Sequence, residues 1–189
     1  MLGRAERAES ILHGAAAAFA RAGFADTSME DVAAATGVTR LIVYRHFASK
    51  EDLYRAVLER VSTRLAEEFV GGLERHERRG VGALSLLTVA REDPNAFVLL
   101  WRHAAREPQF AQYAEQQRAS AVAAARALFV HDLGDEMIER WAAESSVGWL
   151  VESVLAWLEV GDPARDEEFL DLCRRGGRAL LSAWVPASR

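Results

Sequence analysis

Residues 27–52 read TSMEDVAAATGVTRLIVYRHFASKED, and this stretch carries the strongest structural signal in the chain. Thr27 and Ser28 can each cap a helix start, because each is followed three residues later by an acid, the spacing of a capping box. Gly37 then ends that helix, since glycine adopts the left-handed conformation without strain. Thr39 is a second N-cap just beyond it. A helix, a short turn with glycine and a second helix predict a helix-turn-helix.

The second helix of this motif, near residues 39–47, has two sides that differ in chemistry. At about 100° per residue, Val43 and Phe47 fall together and predict the side that packs inward. The opposite side carries an arginine, which can bind O6 and N7 of guanine, and aliphatic groups, which can contact a thymine methyl group. The residues expected to read bases are Arg40, Leu41, Ile42 and Arg45. Those expected to contact phosphates are Ser28, Thr39, Tyr44, His46 and Lys50.

Further fragments flank the motif in a fixed order and register: Ala17-Ala18-Phe19, Gly23-Phe24, Thr27-Ser28-Met29, Asp31-Val32-Ala33, Gly37-Val38-Thr39 and residues 43–53. On these fragments, residues 8–58 resemble the N-terminal domain of the TetR family of helix-turn-helix transcriptional regulators. The resemblance implies an all-α, nine-helix fold, with a DNA-binding domain at 1–47 and an effector-binding and dimerisation domain at 48–189. Leu41 departs from the family pattern, in which glycine or another small residue is common, and this departure bears on the operator sequence.

The composition limits the class of protein. With 189 residues, 50% of them hydrophobic, the chain is long enough for one sizeable core or two small ones. Its net charge of −5 argues against a nucleic-acid binder with a broad basic surface. Residues 1–60 hold 8 Lys and Arg against 8 Asp and Glu, whereas residues 61–189 hold 15 against 20. A neutral motif region implies few phosphate contacts per subunit.

Cysteine usage and hydropathy predict a cytoplasmic protein without a membrane partner. Cys173 is the single cysteine, so the chain forms no internal disulfide and no tetrahedral metal set based on thiolates. No apolar run approaches about 18 residues, because Glu152 and Glu159 interrupt the longest candidate. The first residues lead into a charged amphipathic helix rather than a signal peptide.

Apolar residues recur at helical spacing along the chain, and no period-two alternation competes with it. Pro94 and Pro163 each follow an aspartate, which predicts an N-cap with proline at the first helical position. The predicted helices cover about 5–21, 29–36, 39–47, 50–73, 81–91, 94–106, 110–131, 135–160 and 164–184.

The last two predicted helices indicate a homodimer interface. The eighth is apolar nearly all round, which predicts that both of its sides are covered. In the ninth, two adjacent glycines cost about 1 kcal/mol each relative to alanine, so we expect another helix backbone to approach them closely. The alternative is that both helices fill the core of one subunit. The expected interface residues are Trp141, Val151, Leu155, Phe169, Cys173, Gly176, Gly177, Leu180 and Trp184.

The sixth and seventh predicted helices place small alanines among large aromatic residues. This pattern can leave a cavity for an apolar ligand with a few orienting polar groups. The alternative is that the aromatic residues fill the core solidly. The residues expected to line an effector pocket are Phe97, Trp101, Arg102, His103, Tyr113 and Gln117.

These features together predict a dimeric repressor that binds palindromic double-stranded operator DNA and is released by a small-molecule effector. No cofactor, metal or catalytic activity is expected, because the sequence has no His-Glu-x-x-His pair and no glycine-rich phosphate loop after a strand. The alternatives are a ligand-sensing activator of the same fold, a regulator whose signal is a protein partner, and a helical enzyme or carrier that kept the corner motif.

Overall fold

A computed structural model of the chain describes residues 3–75, 80–129 and 133–184. Those residues form nine α-helices and no strand, which confirms the predicted all-α fold. The predicted end of the seventh helix, at residue 131, lies outside them. The helices are α1 (Arg4–Asp26), α2 (Met29–Thr36), α3 (Arg40–His46), α4 (Lys50–Glu74), α5 (Val81–Glu92), α6 (Pro94–Val98), α7 (Ala111–Phe129), α8 (Glu136–Val160) and α9 (Asp166–Trp184).

Side-chain caps start helices where the sequence predicts them. The Ser28 hydroxyl accepts a hydrogen bond from the backbone N–H of Asp31 at 3.2 Å and begins α2. The Asp93 carboxylate accepts one from the N–H of Ala96 at 3.0 Å and begins α6, with Pro94 as the first helical residue. Local capping chemistry therefore fixes where these helices begin.

The described residues pack as two compact units. The first draws on Met1–Ala66 and Val89–Ala114, and the second on Glu67–Thr88 and Glu115–Arg189. Helices α4, α5 and α7 each contribute residues to both units. These units divide the chain by packing, whereas the boundary between residues 47 and 48 divides it by function and stays a prediction.

Four aromatic rings form the centre of the first unit. Phe19 and Phe24 come from α1, Tyr54 from α4, and Phe110 immediately precedes α7. The Tyr54 ring centroid lies 4.9 Å from that of Phe19 and 4.5 Å from that of Phe110. Burial raises the pKa of the Tyr54 phenol well above its usual value. The cluster fixes α1, the helix against which α2 packs.

The predicted sixth helix, residues 94–106, is helical throughout but changes geometry twice. After α6, Leu99–His103 form a π-helical turn and Ala104–Arg106 form a 3₁₀ turn. No residue pattern here distinguishes a π turn from an α-helix, so the sequence prediction missed it. Such turns occur frequently at functional sites, and this one contains Trp101.

Candidate nucleic-acid interface and associated sites

The turn between α2 and α3 orients the second helix of the motif. Gly37 has a φ of 66°, in the left-handed region that favours glycine, and its N–H donates to the carbonyls of Ala33 and Ala34. The next N–H, that of Val38, donates to the Ala33 carbonyl at 3.1 Å. Val43 is 0% exposed, so the inner side of α3 is fixed in the core of the first unit.

The outer side of α3 is open to solvent. Leu41 is 62% exposed and Tyr44 is 40% exposed. Arg45 is exposed and makes no ion pair with any of the described residues. A large exposed aliphatic residue beside an unpaired arginine is unusual on a solvated helix. This pair of side chains suits the edges of bases in the major groove, where thymine offers a methyl group and guanine offers two hydrogen-bond acceptors.

Ile42 lies differently from the prediction. Its side chain is half-buried and packs against the core of the first unit. It is about 100° from Leu41 on one side and from Val43 on the other, so it lies at the boundary between the outer and inner sides. The expectation that Ile42 projects outward with Leu41 is therefore wrong, and only its edge is open to a base.

Arg40, at the start of α3, is held on two sides. Its Nη1 pairs with Glu30 of α2, and its Nη2 donates to the Tyr44 hydroxyl at 3.4 Å. The hydrogen bond to Tyr44 and the charge of Glu30 raise the pKa of Arg40 above its usual value. Because 57% of its side chain remains exposed, Arg40 is both fixed and accessible.

Three predicted phosphate contacts have different surroundings. Ser28 donates to the Asp31 carboxylate at 2.6 Å, and the hydrogen bonds from Ser28 lower the pKa of Asp31. Thr39 is the exposed N-cap of α3, but its side chain makes no capping hydrogen bond within the described chain. His46 is half-buried beside Phe47, with 6.3 Å between the ring centroids.

Lys50 is engaged inside the protein, a role that the sequence prediction missed. Its Nζ donates to the carbonyls of Phe24 and Ala25, at 2.7 Å and 3.2 Å. The same ammonium lies 4.5 Å from the centroid of the Phe24 ring. These contacts hold the start of α4 to the end of α1. An ammonium group has three N–H donors, so one remains for a phosphate.

A close crossing of α1 and α2 supports the motif from its inner side. A Cβ on Gly14 would lie 2.2 Å from Cγ2 of Thr36, so a larger residue at position 14 requires the Thr36 side chain to move. The Thr36 hydroxyl donates to the Val32 carbonyl at 2.9 Å, which holds that methyl group towards α1. Sequence reasoning missed Gly14, because a glycine inside a predicted helix gives no indication of its neighbour.

The predicted effector residues of the first unit lie on α6, in the π turn and near the start of α7. Phe97 is fully buried, whereas Trp101 and Tyr113 are partly buried against the core. The Trp101 Nε1 is buried without a hydrogen-bond partner among the described residues. Burial, assisted by the charge of Arg106, lowers the pKa of His103, and burial raises that of Tyr113. This region therefore offers a buried indole N–H and a neutral imidazole.

The two remaining predicted effector residues, Arg102 and Gln117, are both half-buried. Arg102 lies in the π turn and interacts with a neighbouring group. Gln117 lies on α7 in the second unit. The first unit thus contains every predicted effector residue except Gln117.

Four of the predicted dimer residues are buried within one subunit. Val151, Leu155, Phe169 and Cys173 are between 1% and 7% exposed within the second unit. Burial also raises the pKa of the Cys173 thiol to about 11, which makes it unreactive at neutral pH. The prediction that these four side chains contact a partner needs correction, because packing inside one subunit already accounts for their apolar character.

The two glycines of α9 face a ring of their own subunit. A Cβ on Gly176 would lie 2.9 Å from Cζ2 of Trp149, and one on Gly177 would lie 3.6 Å from its Cζ3. The predicted close approach is present, but the neighbour is an indole ring of α8. Packing against Trp149 is the close approach seen within the subunit, and a contact of these glycines with a second subunit stays a prediction.

The other predicted dimer residues keep accessible surface. Trp141 is 51% exposed and packs edge to face on Trp184, with 4.9 Å between the ring centroids. Leu180 and Trp184 are half-buried. Met137, one helical turn before Trp141, is 72% exposed.

No helix within residues 3–75, 80–129 and 133–184 combines the length and apolar character needed to cross a membrane. Over the same ranges, no three His, Cys, Asp or Glu side chains come together in a group that could hold a metal ion.

Comparison with known sequences gives a family for the motif. Residues 11–57 match the model of the family described as bacterial regulatory proteins, tetR family. An HTH-type transcriptional regulator of Mycobacterium tuberculosis is 29% identical over 164 residues, which cover 85% of this chain and 77% of that protein.

Comparison with solved structures gives the fold. A TetR-like transcriptional regulator from Rhodococcus sp. RHA1 superposes with a TM-score of 0.78 at 20% identity, covering 96% of this chain and 99% of that one. AibR, solved in complex with isovaleryl coenzyme A and operator DNA, superposes with a TM-score of 0.67 at 18% identity, covering 97% and 100%. At these identities the two structures establish the fold alone. Residues 11–57 therefore match the tetR family of bacterial regulatory proteins, the sequence relative extends the similarity along most of the chain, and the chain as a whole has the fold of TetR-like transcriptional regulators.

Proposed function

We propose that the protein is a dimeric repressor that reads a palindromic operator with α3 and releases it when a small molecule binds. The observation that carries the proposal is the open outer side of α3, where Leu41 and Arg45 are exposed while Val43 lies in the core. Arg45 can donate two hydrogen bonds to O6 and N7 of a guanine, and Leu41 can pack on a thymine methyl group. Arg40 and the open edge of Ile42 complete the base-reading set.

Phosphate contacts would position α3 without reading sequence. The proposed set is Ser28, Thr39, Tyr44, His46 and the third N–H of Lys50. Residues 1–60 hold 8 basic and 8 acidic side chains, so each subunit would make few such contacts. Firm binding therefore requires two subunits on one duplex.

A two-fold axis meets that requirement. The recognition helices of a symmetric dimer enter successive major grooves about 34–36 Å apart, and their half-sites form a palindrome. We place the subunit contact where Trp141, Leu180 and Trp184 keep accessible surface on α8 and α9. Exposed tryptophans are common anchors of protein interfaces.

We place the effector site at the π turn and the start of α7. The buried Trp101 N–H, which lacks a partner in the described chain, would gain a hydrogen bond from a ligand acceptor. His103 and Tyr113 add polar groups in partly buried positions. AibR, which shares the fold, was solved with isovaleryl coenzyme A and operator DNA, and this supports a ligand response in such a fold.

Asp93 offers a connection from this region to the DNA-binding helices. Its carboxylate caps α6 through the N–H of Ala96 at 3.0 Å and pairs with Arg60 of α4. It also lies 3.2 Å from Nδ1 of His13 on α1. A ligand that displaces α6 would act on α1 and α4 through these bonds, provided that it binds the two arrangements with different affinity.

Selection of bound DNA from a random pool tests the proposed function. The purified protein should enrich a palindrome whose half-sites lie about one helical turn apart. Enrichment of no sequence, or of a sequence without two-fold symmetry, would contradict the proposal.

The dimer contact is tested by sedimentation of two variants of α8. Trp141→Glu places a charge on the exposed aromatic surface and should yield monomers. Val160→Glu is the matched control, because Val160 is 84% exposed on the same helix, and it should remain dimeric. If both variants sediment as dimers, the contact lies elsewhere.

Repression is tested with a reporter gene joined to the selected operator. Reporter expression should rise when the regulator gene is deleted. A fall in expression would instead assign the activator role.

A further inference from the structure

Glu30 and Arg40 form an ion pair across the turn of the helix-turn-helix, and the contacts described above give Glu30 no role in binding. Glu30 lies in the first turn of α2, and Arg40 begins α3. The carboxylate contacts Nη1, while Nη2 donates to the Tyr44 hydroxyl at 3.4 Å. The guanidinium carbon also lies 5.2 Å from the centroid of the Tyr44 ring. The guanidinium is therefore held by a neighbouring helix and by its own helix.

The pair lies at the surface, with 57% of the Arg40 side chain and 53% of the Glu30 side chain exposed. An exposed ion pair contributes little to the free energy of folding. Arginine carries five N–H donors, and these contacts use two of them. Three donors therefore remain for a partner outside the protein.

We propose that Glu30 is a specificity-determining residue, which holds the Arg40 guanidinium in place to bind the edge of one guanine. This inference rests on the proposed function of α3. Glu30 contacts no base itself and acts through Arg40, so it is a positioning residue.

Two physical effects would favour the correct base. Ordering a long side chain on binding is unfavourable, and an arginine that is already ordered avoids most of that loss. The fixed carboxylate also repels phosphates, so a contact with the DNA backbone gains less than a contact with guanine O6 and N7. Both effects increase the ratio of operator affinity to random-DNA affinity.

The test measures the affinities of wild type and Glu30→Gln for two duplexes by fluorescence anisotropy. One duplex carries the sequence selected from the random pool, and the other is a scrambled sequence of the same composition. We expect the affinity ratio to fall about three- to ten-fold for Glu30→Gln. Repeating the selection should show relaxed preference at one guanine of each half-site. The thermal unfolding midpoint should match wild type, which separates positioning from a role in folding.

Two controls account for the lost negative charge, which raises affinity for any DNA. Glu51→Gln removes the charge of an exposed residue that has no ion-pair partner in the described part of the chain. It should raise both affinities alike. In an Arg40→Ala background, Glu30→Gln should leave the ratio unchanged, because Glu30 acts through Arg40.

The proposal is overturned if the ratio of operator affinity to scrambled-DNA affinity in Glu30→Gln stays at the wild-type value or rises. It is also overturned if Glu30→Gln lowers that ratio equally in the wild-type and Arg40→Ala backgrounds. Failure of the proposed function looks different. In that case the wild-type protein itself shows no preference between the two duplexes, and both proposals fall together.

Discussion

The helix-turn-helix and the α8–α9 pair both expose large apolar side chains, but they do so for different reasons. In the motif, Leu41 is 62% exposed on a short helix whose inner side is fixed by the fully buried Val43. In the second unit, Trp141 is 51% exposed on a helix that also carries buried apolar residues, such as Leu155. The first exposed group is aimed outward by a turn. Trp141 belongs to the part of an apolar surface that stays exposed after the rest has packed within one subunit.

The difference shows how much each kind of sequence pattern specifies. Capping residues and Gly37 determine where the chain turns, and therefore which side of α3 is open. An apolar pattern on nearly every side of α8 determines only that those sides are covered. At Gly176, the group that covers this part of α8 and α9 is the Trp149 ring, which belongs to the same subunit.

Removing Arg45, the outward arginine of α3, should give the greatest loss of operator affinity. Arg45→Ala should weaken binding to the selected operator by about 1–3 kcal/mol, because a two-bond contact with guanine is lost. Binding to scrambled DNA should weaken much less. The two affinities are measured by fluorescence anisotropy at one salt concentration. An equal loss on both duplexes would assign Arg45 to the phosphate backbone.

The support beneath the motif is tested at the crossing of α1 and α2. Gly14→Ala should lower the free energy of unfolding by about 1–3 kcal/mol, because the new methyl group overlaps the Thr36 side chain. Thr36→Ser removes that methyl group and keeps the hydroxyl. In the Thr36→Ser background, Gly14→Ala should be neutral or stabilise by up to about 1 kcal/mol. Urea unfolding measures both, and the same loss in both backgrounds would refute the crossing.

The two glycines of α9 test how the α8–α9 pair packs within one subunit. Gly177→Ala should stabilise the fold by about 0.5–1 kcal/mol, because its methyl group meets Trp149 only at an ordinary contact distance of 3.6 Å. Gly176→Ala should lack this gain, because its methyl group would lie 2.9 Å from the same ring. Thermal unfolding and sedimentation are measured together. A monomeric Gly176→Ala variant with unchanged subunit stability would restore the explanation by a partner helix.

A smaller effect is expected from the pH dependence of stability. Because burial lowers the pKa of His103 in the folded state below its ordinary value of 6.5, the unfolded chain takes up its proton first as the pH falls. The fold therefore keeps its full stability above about pH 6.5, where the imidazole is neutral in both states. As the pH falls below that value, protonation of the unfolded chain lowers the free energy of unfolding. His103→Gln should reduce the drop in Tm between about pH 7.5 and pH 5.5. Identical profiles for both proteins would show that His103 is equally solvated in the two states.

Local chemistry explains which parts of the structure the sequence predicts well. The bounds of α2 follow from Ser28 and Gly37, residues that act on their immediate neighbours. Glu30 and Lys50 differ, because their partners come from other helices and no local pattern identifies them. The π turn at Leu99–His103 likewise has no local signature. Tertiary contacts, rather than helix propensity, decide these features.

Protection of a thiol on α3 is the most direct check that its outer side faces DNA. Leu41→Cys places a thiol on that side, and Val160→Cys places one at an exposed position of the second unit. The native Cys173 is buried, with a pKa raised to about 11, so its background reaction is slow. The rate of modification is measured with and without the selected duplex. If α3 enters the groove, the duplex protects Leu41→Cys and leaves Val160→Cys unchanged. Equal rates at position 41 with and without DNA would contradict any base-reading role for α3.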